Sequence, residues 1–393
     1  MPPIPRLRPY QGPALFSYGF RPFFLFGALY AGLAVLAWLP VFTGELALAS
    51  AFAPRDWHVH EMLYGYVPAV VTGFLLTAIP NWTGRLPLQG TPLIVLLAVW
   101  LAGRAAVTFS GLIGWLPATV IDGAFLLLVA AAAAREIVAG RNWNNLKVVS
   151  LIVLLALGNV CFHLEAHIAG AADYSIRLGL AAVVMLISLV GGRIVPSFTR
   201  NWLAREKPGR LPVPFGRFDM IVIAASAAAL VVWIVVPQTA VAGAALLAAG
   251  ALQCARLVRW AGDRTARERL VLILHLGYAF IPLGFLLVGL AALDLVPAAA
   301  GIHAWAGGAV GTMTLAVMTR ATLGHTGHAL IASRMTQAIY LAVLLATLSR
   351  IAAAIEPAHS MPLLAAAAAL WAAAFLGFGA AYGPMLVATA RPK

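Results

Sequence analysis

The stretch HEMLYGYVPAVVTGFLLTAIPNWTGR, residues 60–85, carries His60 and Glu61 at its head and Arg85 at its tail, with no charged residue between. About 20 such residues in a helix cross the ~30 Å hydrocarbon layer of a membrane. Apolar and polar residues do not alternate along it, as a membrane strand would require. The stretch therefore predicts a transmembrane helix, and it sets the scale for the rest of the chain.

Outward from it, similar runs recur to both ends. The 393 residues are 62% hydrophobic and only 10% charged, far below the ~25% charged of soluble domains. The expected fold class is all-α: a polytopic membrane protein forming one integral membrane domain over 1–393. Twelve transmembrane spans are expected at about 22–42, 58–80, 91–110, 115–134, 147–168, 176–196, 218–237, 239–257, 270–292, 299–319, 335–353 and 361–387. The first run has no small-residue cleavage site after it and reads as a retained span. Cys161 and Cys254 both fall within expected spans, so no disulfide framework and no CxxC site is expected.

A net charge of +13 invites a nucleic-acid reading, but its distribution points to membrane lipid. With the N-terminus inside, Arg6, Arg8, Arg85, Arg135, Arg141, Lys147, Arg200, Arg205, Lys207, Arg210, Arg256, Arg259, Arg264, Arg267, Arg269, Arg391 and Lys393 lie on the cytoplasmic side. Arg55, Arg177 and Arg350 lie outside. That asymmetry follows the positive-inside rule and places both termini in the cytoplasm. The basic inner loop SFTRNWLAREKPGRLPVPFGR is the best candidate for a division between halves.

The opening stretch also has a counterpart. Laid without a gap over HAWAGGAVGTMTLAVMTRATLGHTGH (303–328), it sets His60 on His303, Gly65 on Gly308 and Thr83-Gly84 on Thr326-Gly327. YGFRP at Tyr18 resembles YAFIP at Tyr278, and IPNWT (79–83) is echoed by VPSFT (195–199). Spans 2, 6 and 10 then correspond, which suggests three parallel four-helix repeats rather than two transporter halves.

Five of the nine histidines gather at one outer level: His58, His60, His163, His167 and His303. A lone histidine in a span is most simply a bonded core residue. Five converging by topology point to a metal or cofactor, because imidazole ligates haem iron, copper and zinc. His58 and His60, two apart on a helix, point about 200° apart and suit separate jobs. His163 and His167, four apart, share a face and can grip one ion. His60 and His303, equivalent in two repeats, can face a shared centre as two axial histidines clamp a haem.

Near these ligands, Glu61 and Glu165 suit proton relay or a hydrogen bond between helices, and Tyr64 suits orienting His60. On the inner side Arg193, Arg320 and His325 suit haem propionates or a proton path, and the arginines equally suit topology anchors. Asn81, Trp82, Thr199, His275 and His328 lie at the same level. Arg104 and Asp122, at similar depth in the third and fourth spans, read as a structural ion pair. No Walker A loop, no GxGxxG after a strand, no HExxH and no CxxCH occurs; the last argues for non-covalent haem b over covalent haem.

Together GFRPFFL at Gly19, WHVHEMLYGY at Trp57, GFLLTAIPNWTGR at Gly73, GGRIVPSFTRN at Gly191 and MTRATLGHTG at Met318 resemble the NnrS family over most of the chain. The resemblance implies a twelve-helix protein of the bacterial inner (cytoplasmic) membrane, containing haem and copper and linked to denitrification and nitrosative stress. The chain departs from the family pattern at His328, where an arginine is usual. Haem–copper oxidases offer a looser architectural analogy, although spans 6 and 7 here lack their histidines. The expected function is an oxidoreductase that binds nitric oxide and reduces it to nitrous oxide with electrons from an unknown electron donor. His60 and His303 are the expected haem ligands, and His58, His163 and His167 the expected copper ligands. Nitric oxide or metal sequestration without turnover, and metal transport, remain as alternatives.

Overall fold

A computed structural model of the chain describes residues 10–206 and 209–389. Arg6, Arg8, Lys207, Arg391 and Lys393, used above to orient the chain, lie outside the described residues. Among the described residues every regular element is helical.

The membrane helices run α1 (Phe20–Phe42), α2 (Pro54–Thr83), α3 (Thr91–Thr108), α4 (Trp115–Ala139), α5 (Leu146–Ala169), α6 (Asp173–Glu206), α7 (Arg217–Val235), α8 (Ala240–Val258) and α9 (Arg269–Ala291). They continue as α10 (298–325), α11 (Arg334–Ile355) and α12 (Ser360–Val387). Eleven are long and apolar enough to cross a membrane. The other, α10, is helical over the whole tenth expected span but is diluted by glycine, threonine and His303. The chain is thus an all-α polytopic membrane protein.

Local chemistry sets the helix ends. Pro54 opens α2 at a position where its missing N–H costs nothing. Thr239 and Ser333 accept the Ala242 and Thr336 amides at the starts of α8 and α11. Gly84 closes α2 with φ 71° and Gly327 follows α10 with φ 77°, a conformation that only glycine adopts freely. These two glycines are the pair aligned by the repeat.

The repeat extends to rarer features. Directly after His60, α2 widens into a π-helical stretch, Glu61–Tyr66, and directly after His303, α10 does the same over Ala304–Gly311. The Thr83, Thr199 and Thr326 hydroxyls each donate to the carbonyl four residues back, at 2.8, 2.8 and 2.7 Å. Spans 2 and 10 therefore share local structure as well as sequence, whereas the threonine bond of span 6 also occurs outside the repeat, at Thr108, Thr119 and Thr347.

The described residues fall into two compact units. One holds 10–179, 318–329 and 375–389; the other holds 180–206, 209–317 and 330–374. The division comes early in α6, not in the basic loop after it. In the first unit α2 packs on α1 and α4, and α4 packs on α3 and α5. Arg21, of the GFRPFFL motif, is buried and donates to the carbonyls of Leu386 (2.8 Å) and Ala388 (2.7 Å), capping the end of α12. In the second unit α9 packs on α8 and α10, and α10 on α11. Helix α2 is the most enclosed, with 78% of its apolar stretch buried against 33% for α7.

Candidate metal centre

The most enclosed helix carries the most polar interior. His60 and Glu61 on α2 are fully buried, as are Arg104 on α3, Asp122 on α4, and Asn159 and His163 on α5. Buried polar groups must find partners, and these find one another. Glu61 takes hydrogen bonds from Arg104 (2.6 Å) and from the Tyr30 hydroxyl of α1, and lies 3.0 Å from His60 Nδ1. Arg104 also pairs with Asp122. The expected structural ion pair is therefore present, but it is one edge of a larger network.

Asp122 is the hub. Its Oδ2 lies 3.2 Å from His60 Nε2 and 3.1 Å from His163 Nε2, and accepts from Asn159 Nδ2 at 2.8 Å. Asn159 Oδ1 faces His60 Nε2 at 2.8 Å. Among the described residues His60, Asp122 and His163 can each direct one ligand atom to a common point, all within 4.8 Å of one another.

Two observations say that this cluster needs one more positive charge. With neutral imidazoles, Arg104 offsets only one of the Glu61 and Asp122 carboxylates, leaving one net negative charge away from water. An unbalanced buried charge is strongly unfavourable. His60 also faces acceptor oxygens from both ring nitrogens, while a neutral imidazole has one N–H to give. A proton carried by Glu61 or His60 resolves both, and so does a metal cation between His60, Asp122 and His163. The second unit offers a contrast: buried Arg256 pairs with Asp219 at 3.0 Å and bonds Ser188 and Tyr278, so that network is already neutral.

Copper fits this donor set. Two imidazole nitrogens and a carboxylate oxygen are ligands it accepts. The two imidazole nitrogens stand 3.2 and 3.1 Å from Asp122 Oδ2, close enough for one cation to be shared among them. Around the imidazoles an aromatic wall excludes water. Phe52 lies 5.2 Å from His60 and 5.0 Å from His163 between ring centroids, and Phe162 lies 5.0 Å from His60.

Backbone choices make the network possible. A Cβ on Gly65 would strike the Arg104 guanidinium, and one on Gly103 would come within 2.9 Å of Asp122 Oδ1. In the π stretch the Gly65 carbonyl accepts the Trp100 indole N–H at 2.9 Å. Such π stretches are frequent at functional sites because they shift side chains out of helical register.

The other expected site residues are placed as follows. His58 stacks on Trp38 at 4.1 Å and the exposed His167 on Trp115 at 4.2 Å, so neither belongs to the buried group. The i, i+4 pair on α5 that does meet is Asn159 and His163. Glu165 accepts the Tyr174 and Ser175 amides, each at 2.8 Å, capping the start of α6. Tyr64 packs on His60 at 5.6 Å but gives its hydroxyl to the Ser175 carbonyl at 2.6 Å.

His303 lies in the second unit, and its Nδ1 donates to the Ala299 carbonyl at 2.7 Å. That bond leaves the ring's lone pair on Nε2, the arrangement usual for a ligating histidine, and it suits an axial haem ligand. His325 stacks on Tyr18 at 5.6 Å in the first unit. Arg320 is half-buried in that unit, and Arg193 is exposed in the second. His275 gives Nε2–H to Thr199 at 2.8 Å. Asn159 and Tyr30 went unmarked in the sequence, although a polar residue four before His163 inside a span is a usable signal.

Helices and site together define an all-α polytopic membrane protein with a buried histidine–carboxylate–arginine cluster. The chain belongs to the NnrS family, whose model, described as NnrS protein, matches residues 14–389, nearly its whole length. No curated protein sequence matches it at a significant level.

Proposed function

We propose that the chain is a haem- and copper-containing oxidoreductase of the bacterial inner membrane, with both termini cytoplasmic, that binds nitric oxide and reduces it to nitrous oxide. Family membership fits a membrane protein of the nitric oxide response. The observation that carries the reading is the buried His60–Asp122–His163 cluster, whose ligand atoms lie within 4.8 Å of one another.

The reaction joins two nitric oxide molecules with two protons and two electrons to give nitrous oxide and water. The electrons come from a donor outside the chain. Copper and haem, when bound, would supply nitric oxide ligation and electron transfer. His60, His163 and Asp122 would hold the copper, and His303 a haem b. Glu61 sits beside His60 and takes the Tyr30 hydroxyl, so its oxygens are placed to hold and pass a proton. Phe52 and Phe162 keep bulk water off the imidazoles. Tyr64 and Glu165 hold the α5–α6 turn behind them, a positioning role.

A second reading, binding nitric oxide or metal without turnover, draws on the same cluster, since His60 is engaged at both ring nitrogens. Metal content and an optical spectrum of the purified protein, followed by nitric oxide uptake with nitrous oxide detection, separate the readings. Copper with a Soret band and steady nitrous oxide release is expected. Binding without release leaves the second reading, and absence of copper overturns both.

A further inference from the structure

The turn between α2 and α3 and the last turns of α4 surround a cleft of about 470 Å³, lined by Arg85, Leu86, Leu88, Pro92, Arg135 and Glu136 among others. Consecutive spans alternate in direction, so the end of α2, the start of α3 and the end of α4 all lie at one membrane face. The cleft therefore opens at the boundary between hydrocarbon and water, away from the metal centre.

Its charge is unbalanced in the opposite sense to that centre. Buried Glu136 is shared by two arginines. Arg85 binds Oε2 through Nε, and Arg135 binds Oε1 through Nε and Nη2 at 2.9 and 2.8 Å. Two guanidinium groups on one carboxylate leave a net positive charge. Each guanidinium has five N–H donors, so the pairing with Glu136 leaves both Nη groups of Arg85 and Nη1 of Arg135 for a ligand. Their side chains are 45% and 68% exposed. Arginines that only flank a span extend singly toward water; these two converge on a buried anchor that fixes their spacing.

The N-terminus of α3 adds to this. Pro92, at the start of that 18-residue helix, lines the cleft. Pro92 has no N–H and the Leu93 and Ile94 amides donate to the Gly90 carbonyl, so this end contributes only the field of the helix dipole. Apart from Gln89, whose amide donates to the Ser17 carbonyl, the remaining wall is mostly apolar (Leu86, Leu88 and Pro92), which suits a ligand with a charged head and a greasy shoulder.

We propose that this cleft binds a phosphoryl oxyanion, the chemistry shared by an anionic phospholipid headgroup and free phosphate. Guanidinium forks match phosphate oxygens in pairs. The test uses the full chain purified in detergent. Native mass spectrometry would compare retained phosphatidylglycerol with diacylglycerol, which lacks the phosphate, and calorimetry would titrate inorganic phosphate into delipidated protein. The Arg85→Gln/Arg135→Gln variant is expected to lose binding by about tenfold or more, while Lys147→Gln, at an exposed cation elsewhere, changes nothing. If the double variant fails to fold, Arg135→Gln alone carries the test, because it leaves the Arg85–Glu136 pair intact. Arginine-dependent retention of phosphatidylglycerol assigns the site to lipid, and arginine-dependent binding of phosphate alone assigns it to the free anion. Binding that ignores both substitutions, or no binding of either probe, overturns the proposal.

Discussion

His60 on α2 and His163 on α5 meet inside the first unit with ring centroids 5.0 Å apart and planes at 74°, both aimed at the same oxygen of Asp122. The pairing joins residues about a hundred positions apart and separates each from its nearest histidine in sequence. His58 and His167 turn instead to tryptophans. The expected behaviour of variants follows from that partition.

Copper should depend on the buried three and not on the stacked two. His60→Ala and His163→Ala should each abolish stoichiometric copper, and Asp122→Asn should weaken it at least about tenfold. His58→Ala and His167→Ala should retain it. Elemental analysis with electron paramagnetic resonance of the oxidised protein decides; full copper in a His60→Ala/His163→Ala double variant would rule this centre out.

Haem should depend on His303. His303→Ala is expected to lose the Soret band while leaving copper in place, since His303 is not one of the three copper donors. An unchanged spectrum would remove His303 from the proposal.

Arg104 should be essential to stability. Arg104→Met strands the buried Glu61 and Asp122 carboxylates, at a cost of about 3–5 kcal/mol. Adding Glu61→Leu and Asp122→Leu removes the stranded charges and should recover much of the loss. Thermal denaturation in detergent reads both; a single variant as stable as wild type would contradict the network.

Gly65→Ala should be costly for a one-carbon change. The added methyl meets the Arg104 guanidinium in a closed interior, and overpacking of this kind costs about 1–3 kcal/mol. Gly44→Ala on an exposed turn, with nothing within 4 Å of its Cβ, meets no neighbour and bears only its φ of 81°. The Gly65 substitution should lower copper occupancy as well as the melting temperature, and the Gly44 substitution should leave copper untouched.

Glu61→Gln keeps the size of the side chain and removes its proton exchange. Nitric oxide consumption is expected to fall by about 10²–10⁴ with copper content held. Loss of copper in parallel would instead make Glu61 a structural support of the centre.

Much of this protein is additive along the chain and so was legible in it. Span length and hydropathy fix where helices cross, and all twelve expected spans are helical. The gapless match of His60 to His303 and of Gly84 to Gly327 anticipated local geometry, with a π stretch after each histidine and a left-handed glycine beyond each helix end. Spacing also separated His58 from His60, because residues two apart cannot share a helix face.

What spacing could not determine was which face of each helix meets which neighbour. His163 and His167 share a side of α5 in sequence, yet His167 stands in the last turn, so the packing buries His163 with Asn159 and leaves His167 at the surface. Asp122 read as half of an ion pair with Arg104, since only the fold brings two more helices against it. The sequence determined that histidines, carboxylates and an arginine would be carried into the membrane. The tertiary structure alone decided that their charges would meet, because charge balance belongs to a buried neighbourhood drawn from five helices and not to any one of them.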